Sequence, residues 1–245
     1  MKSNTGSFYS DIHQRTIKEI KSKSIGDVIA MAVSTFDKEK KSKQIIEIGS
    51  GYGQILYLLQ KKGFYNLSGL DLNKEAVLFI KKNFKFVTMY YGTALNINLK
   101  KKYDIVLCNG VLHHTNSLEK GLKELNKICK NNGKIILGLY LFKNSFFDFF
   151  VKILRKLSLI FPYKITKNLL MPFPIKYSDA ILDHMYVPVL KLNSKEDIIK
   201  YFNKNNLKIK KVYNFNPFIK NNKFLSKIFY NDSFFKIFVL QKSKK

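Results

Sequence analysis

The sequence predicts an α/β protein: a seven-stranded, mostly parallel sheet with helices on both faces, an antiparallel strand pair at its C-terminal end, and a helical insertion after strand five. Three observations predict it. Short β-branched segments alternate with helical periodicities between residues 45 and 139, the pattern of right-handed crossovers between parallel strands. The first of these segments runs straight into glycines at alternate positions, Gly49, Gly51 and Gly53. Finally, a helix opening on Ser194 precedes two further strand-like segments, 208–213 and 234–241.

Taken in order, Ile45-Ile46-Glu47-Ile48 reads as a buried parallel strand. The glycines form the turn at its carboxyl end, where a residue without Cβ lets the backbone approach a ligand closely. A helix over 54–62 points its N-terminus at that turn. The second strand, 67–70, ends at Asp71, 18 residues beyond Gly53. An acid at that place can accept hydrogen bonds from ribose hydroxyls. Asp71 can equally cap the helix over 74–83, a role Asn73 could also fill. The third strand, 86–91, leads into Gly92-Thr93-Ala94, and the fourth, 104–108, into Asn109-Gly110-Val111-Leu112-His113-His114. A helix over 117–129 and the turn Asn131-Asn132-Gly133 then precede the fifth strand, 134–139. The loops at Gly53, Asp71, Gly92 and Asn109 share one edge, the carboxyl end of the strands, where open α/β sheets bind ligands.

The spacing of the glycines is one residue tighter than the dinucleotide fingerprint G-x-G-x-x-G. With Glu47 ahead of it, the E-x-G-x-G-x-G stretch resembles motif I of the class I S-adenosylmethionine (SAM) methyltransferases. The Asp104-led strand with its Asn-Gly-Val-Leu-His-His loop, and the Asn-Asn-Gly turn, resemble later motifs of the same family. The likeness runs over roughly 40–140. It implies a Rossmann-like fold, SAM as cofactor with S-adenosylhomocysteine as product, and methyl transfer to a small-molecule acceptor. The residues it implies for the cofactor are Glu47, Gly49, Ser50, Gly51, Tyr52, Gly53, Asp71, Leu72, Gly92, Thr93, Ala94, Asn109 and Gly110. One position departs from the family pattern: Thr93 stands where an acid usually meets the adenine amino group, which implies weaker binding there. His113, with His114 next, is the implied general base, since an imidazole has a suitable pKa. Alternatively, one of the two histidines caps the helix beginning near Asn116.

The chain divides into N-terminal helices over 1–43 (8–23 and 25–36), a SAM-binding core over 44–140, a cap insertion over 141–192, and a helix with antiparallel strands over 193–245, all within a single domain. Tyr9 and His13 in the N-terminal segment, and Asp183, His184 and Tyr186 in the insertion, are candidate acceptor contacts; structural hydrogen bonding is the other reading of each. The leading acceptor is an oxygen of a sugar or natural-product intermediate. A quinone or lipid at a membrane surface is the alternative, as is a non-catalytic SAM-fold binding subunit.

The formal charge is +27 over 245 residues, which invites nucleic acid as a partner. Arg15 and Arg155 are the only arginines, and arginine is the residue of bidentate phosphate and base contacts. A solvated lysine surface is the better reading, and nucleic acid is disfavoured. Cys108 and Cys129 are expected to be reduced, no Cys/His spacing resembles a metal site, and no bilayer-spanning or signal segment is evident, so a cytoplasmic protein is expected. Residues 145–161 are amphipathic at helical spacing. Phe146, Phe150, Ile153, Leu157 and Phe161 lie on one face, and Lys152, Arg155 and Lys156 on the other. The segment reads as a cap helix on the domain, a homodimer contact, or a peripheral membrane contact.

Overall fold

A computed structural model describes residues 29, 33, 42–141, 146–170, 175–191, 193–215 and 235–243. β1 (Ile45–Ile48), β2 (Leu67–Asp71), β3 (Val87–Tyr91), β4 (Tyr103–Asn109) and β5 (Cys129–Tyr140) pair in parallel, while β6 (Leu207–Phe215) and β7 (Phe235–Lys242) join antiparallel at the β5 side. The strand order is β3-β2-β1-β4-β5-β7-β6. This is the predicted seven-stranded sheet.

Alternation along each strand builds two apolar layers. Ile46, Val106, Cys108, Ile135 and Leu137 face one way, against Leu118, Leu122 and Leu125 of α3 (Leu118–Ile128) and Phe202 of α7 (Lys195–Lys204). Ile45, Ile105, Leu107 and Ile136 face the other, against Leu56 and Leu59 of α1 (Gln54–Lys61) and Val77 and Ile80 of α2 (Lys74–Asn83). Ile29 and Val33, one turn apart within the predicted 25–36 helix, are helical and buried in this second layer. The predicted helix over 8–23 lies outside the described residues.

The helix starts follow local chemistry. The Asn73 side chain accepts from the Glu75 and Ala76 amides, Ser117 from Lys120, and Ser194 from Asp197, each filling donors that a helix N-terminus leaves open. The strand-five boundary differs from the prediction. β5 begins at Cys129, which pairs with Tyr103 before the register shifts. The Asn-Asn-Gly turn is a bulge inside the strand, with Asn132 at φ 61. Gly133 fits there because a Cβ would come within 2.8 Å of the Lys130 carbonyl. Both cysteines are buried and free, and burial pushes the Cys129 thiol up to about 11, which keeps it inert.

At the opposite end of the strands from the candidate site, Asp104 ties three segments together. Its carboxylate accepts from the Gln44 amide at 2.8 Å and from the Lys130 ammonium at 3.0 Å. Burial raises its pKa, but those donors and the Lys130 charge outweigh it and leave the carboxyl below its usual value. A depressed folded pKa stabilises above the unfolded pKa and is lost as pH falls. Asp104→Asn is therefore expected to cost about 1–2 kcal/mol at neutral pH, and denaturant melts of wild type and variant should converge as the pH drops below about 4.

Candidate cofactor and acceptor site

β1 and β4 are neighbours, yet the chain leaves β1 toward β2 and β4 toward β5. Their outgoing loops separate at this point, where open α/β sheets form a crevice. Gly49 (φ +74) is pressed against the β4 loop so closely that a Cβ would fall 2.2 Å from a Val111 methyl. Gly51 lies at φ 50, and its amide donates to Asp71 Oδ2 at 2.7 Å. Asp71 Oδ1 accepts from the Asn73 amide at 2.7 Å. Asp71 thus braces the glycine loop, and the α2 cap is Asn73.

The other implied cofactor residues line the same edge. Gly53 (φ 82) is the N-cap of α1, and the Tyr52 ring meets Phe79 edge-on at 5.2 Å. Ser50 is buried, with its hydroxyl 3.9 Å from the Met89 sulfur. Leu72 is exposed and Ala94 buried. The Gly92 amide donates to the Asp71 carbonyl at 3.0 Å, and the Thr93 hydroxyl accepts from the Leu95 amide at 3.3 Å. Gly110 (φ +73) has open space around it, so its backbone conformation is what calls for glycine.

Two buried polar atoms here lack partners among the described residues, Glu47 Oε2 and Asn109 Oδ1. Glu47 is 3% exposed. Burial first, and the negative charge of Asp71 second, raise its pKa well above the ordinary value. An unmatched buried acceptor costs about 1–3 kcal/mol and is seldom retained without a ligand or a role.

Beside this crevice the two loop histidines meet the insertion. Both belong to a short 3₁₀ turn, Leu112–His114. Neither caps α3, whose cap is Ser117. His114 Nδ1 donates to the Val189 carbonyl at 3.1 Å, and its Nε2 lies 3.5 Å from Asp183 Oδ2. The Lys191 amide donates to the His113 carbonyl at 2.7 Å. Asp183 and His184 both come from α6 (Ile175–Tyr186). Burial raises the Asp183 carboxyl, but His114, then His184 and His113, outweigh it and hold it well below the carboxylate range.

His113 is fully buried, and neither ring nitrogen has a hydrogen-bond partner among the described residues. Its ring sits 4.1 Å from His114 and 4.6 Å from Tyr140. Burial, and then His114, depress its pKa well below 6.5, so it is neutral. His184 packs 4.8 Å from Tyr140. Tyr186 is engaged elsewhere within the insertion. Its hydroxyl donates to the Phe161 carbonyl at 2.5 Å and lies 2.6 Å from the Thr166 hydroxyl. Tyr9 and His13 lie outside the described residues. Sequence reasoning missed Tyr140 and Phe235, which pair across β5 and β7 and join the histidine cluster. Tyr140 could have been found as the last residue of a strand at the carboxyl edge; Phe235 carried no such signal. Among the described residues no group of three or more His, Cys, Asp or Glu is placed to hold a metal ion.

Residues 46–137 match the family model described as "Methyltransferase domain". Over these residues the chain carries a methyltransferase domain. An uncharacterized methyltransferase of Alkaliphilus oremlandii is 26% identical over 110 residues, 44% of this chain and 50% of that protein. The ubiquinone biosynthesis O-methyltransferase of Rickettsia akari is 25% identical over 115 residues, 45% of each. The chain therefore spans half or less of these relatives' length. Magnesium protoporphyrin IX methyltransferase of Synechocystis, solved with bound S-adenosylhomocysteine, superposes with a TM-score of 0.61 at 16% identity, covering 95% of this chain and 84% of that one. That likeness is one of fold. The family match spans β1 to β5, so the histidine loop lies inside it and the insertion outside.

Loss of the Asp183 charge should loosen the insertion without disturbing the methyltransferase sheet. In Asp183→Asn, hydrogen exchange over 181–191 is expected to speed by about tenfold, the effect of weakening one charge-assisted hydrogen bond, with β4 and β5 protected as before. In the wild type the same loosening should appear as pH falls below the unfolded carboxyl pKa, about 3.9, because a depressed pKa withdraws its stabilisation in that direction.

Proposed function

We propose that this protein is a SAM-dependent methyltransferase that methylates an oxygen of a small molecule held between the β4 loop and the insertion over 141–192. The observation that carries the reading is Glu47, a buried carboxylate with an unmatched oxygen, beside Asp71 at the β1/β4 crevice. A cationic ammonium would supply the missing donor and reverse the cost of the buried charge. Asp71, already accepting two amides, retains lone pairs for ribose hydroxyls, and Asn109 has an amide oxygen to satisfy. These residues fit SAM, and Gly49 and Gly51 keep the loop clear of side chains. Thr93 can accept from an adenine amino group only in competition with the Leu95 amide.

When bound there, SAM supplies a methyl group already activated on a sulfonium. The protein's share is to align the acceptor and remove its proton. His113 is the group proposed for the proton, because it is neutral and keeps a lone pair. His114 is proposed as a positioning residue: it donates to Val189, faces Asp183, and fixes the adjacent ring. Asp183 and His184 reach the pocket's rim from the insertion. A sugar or natural-product hydroxyl suits this enclosed polar cluster. A lipophilic acceptor such as a quinone is the second reading, favoured by apolar residues exposed on the insertion.

Calorimetry with SAM and S-adenosylhomocysteine tests the reading. Micromolar binding is expected, weakened at least about tenfold in Asp71→Ala and in Glu47→Gln; absence of binding at millimolar ligand would sink it. Glu47→Gln should at the same time raise the melting temperature of the ligand-free protein by a few degrees, about 1 kcal/mol. The sign follows from linkage: a carboxyl whose pKa is raised by folding costs stability as pH rises from its unfolded pKa through its folded one, and the amide has no proton to lose. His113→Ala should keep cofactor binding and lose turnover by about a hundredfold or more. Because the His113 pKa is depressed, the acid limb of the wild-type rate profile should lie below 6.5. Binding without turnover on any acceptor panel would favour a non-catalytic subunit.

A further inference from the structure

The insertion is folded the wrong way round for a cap helix packed on its own domain. α4 (Phe146–Leu157) is amphipathic, yet its apolar stripe does not face the protein. Phe150, Ile153 and Leu157 are exposed, whereas Asp148 is buried and Val151 packs inward. Arg155 also turns inward, its guanidinium donating to the carbonyls of His184 and Val187 at 3.3 and 2.9 Å. The turn that follows is more exposed still: Leu159 is 86% and Ile160 71% accessible. α5 (Tyr163–Leu170) continues the surface with Ile165 and Leu169, and has no fully buried residue. Most of the large exposed apolar side chains among the described residues fall between 149 and 169. Large apolar side chains exposed in such number within one short stretch are uncommon on a monomeric soluble protein and mark an interaction surface.

Charge decides what covers it. The basic residues do not form the separate face the sequence suggested: Arg155 turns inward, Lys152 is paired with Asp148 at 2.9 Å, and Lys156 and Lys164 are exposed beside the apolar side chains, on a chain that carries +27. A symmetric contact between two copies would set this lysine-bearing patch against itself, and like charges across an interface are costly. An anionic lipid bilayer complements both properties: acyl chains take the apolar tip, and headgroups take the lysines, whose long stems let the ammonium groups reach upward. No described helix is long and apolar enough to cross a membrane, so the contact is with one leaflet.

We infer that the α4 helix, the 158–162 turn and α5 form a docking surface for an anionic membrane, with Leu159 and Ile160 as its inserted tip. This goes beyond the transfer chemistry and does not depend on it. It would place the histidine cluster, joined to the same insertion through α6, near the bilayer surface.

Flotation of the full chain with vesicles of phosphatidylcholine and phosphatidylglycerol in equal parts tests the inference, with pure phosphatidylcholine as the comparison. The wild type should float with the anionic vesicles and little with the neutral ones. The double variant Leu159→Ser, Ile160→Ser should lose about tenfold or more in partitioning, with an unchanged melting temperature because both side chains are exposed. The variant Lys156→Glu, Lys164→Glu should lose binding to anionic vesicles. A wild type that does not float, or a Leu159→Ser, Ile160→Ser variant that floats equally well, would overturn the inference. So would a wild-type dimer in sedimentation that this variant converts to monomer, since the surface would then belong to a second copy.

Discussion

Everything at the carboxyl edge depends on the parting of two adjacent strands. β1 and β4 are hydrogen-bonded neighbours, and their exits diverge. Gly49 must lie against Val111 for both loops to leave the sheet, and no side chain fits between them. From that contact follows the left-handed backbone at Gly49, Gly51 and Gly53, which ordinary residues adopt only with strain. From it also follows the reach of the Gly51 amide to Asp71, which ties β1 to the end of β2. On the other side, Gly110 turns the chain back so that its amide meets the Gly138 carbonyl at 3.1 Å, handing the two histidines to the insertion. A single steric requirement thus fixes the crevice where β1 and β4 part and the loop beside it.

Burial has opposite consequences for the two buried ionisable groups nearest that pocket. Desolvation disfavours whichever form is charged. It pushes Glu47 toward its proton and His113 away from one. Glu47 is consequently a site of stored instability. His113 is a neutral ring that asks for no counter-ion and so can be packed among Tyr140, Phe235 and His114 at little electrostatic cost. His114, beside it, is supported from outside by Asp183 and the Val189 carbonyl. Identical residues at consecutive positions therefore differ in kind, through what each ring nitrogen finds to face.

The sheet and the glycine turn at its carboxyl edge were legible in the sequence because they rest on local signals. Alternating β-branched residues, glycines where the chain must turn left-handed, and Asn73 and Ser194 ahead of their helices each act within a few residues of where they stand. The start of β5 was not legible, because Asn131-Asn132-Gly133 reads as a turn whether or not Cys129 finds Tyr103 across the sheet. Asp71 was legible as the acid ending β2 but not as the brace of Gly51, which needs the loop's fold. The pairing of His114 with Asp183 and the meeting of Tyr140 with Phe235 join distant segments that no periodicity connects. The apolar stripe of α4 was visible at once; that it faces outward was not, since periodicity identifies a face without saying what covers it.

Directional polar contacts join the insertion to the β4 loop, alongside buried apolar side chains of its own, Val151, Leu182, Met185 and Val187. Lys191 donates to the His113 carbonyl, His114 bridges Val189 and Asp183, and the Lys191 ammonium reaches the Asn116 carbonyl. Each such contact contributes on the order of 1 kcal/mol net, whereas burying one Leu or Ile contributes about twice that. The apolar residues that might have welded the insertion down, Phe150, Ile153 and Leu157, face away. Local opening free energy follows from such contacts: the insertion combines polar and apolar ones, while the sheet is held by a continuous apolar layer on each face.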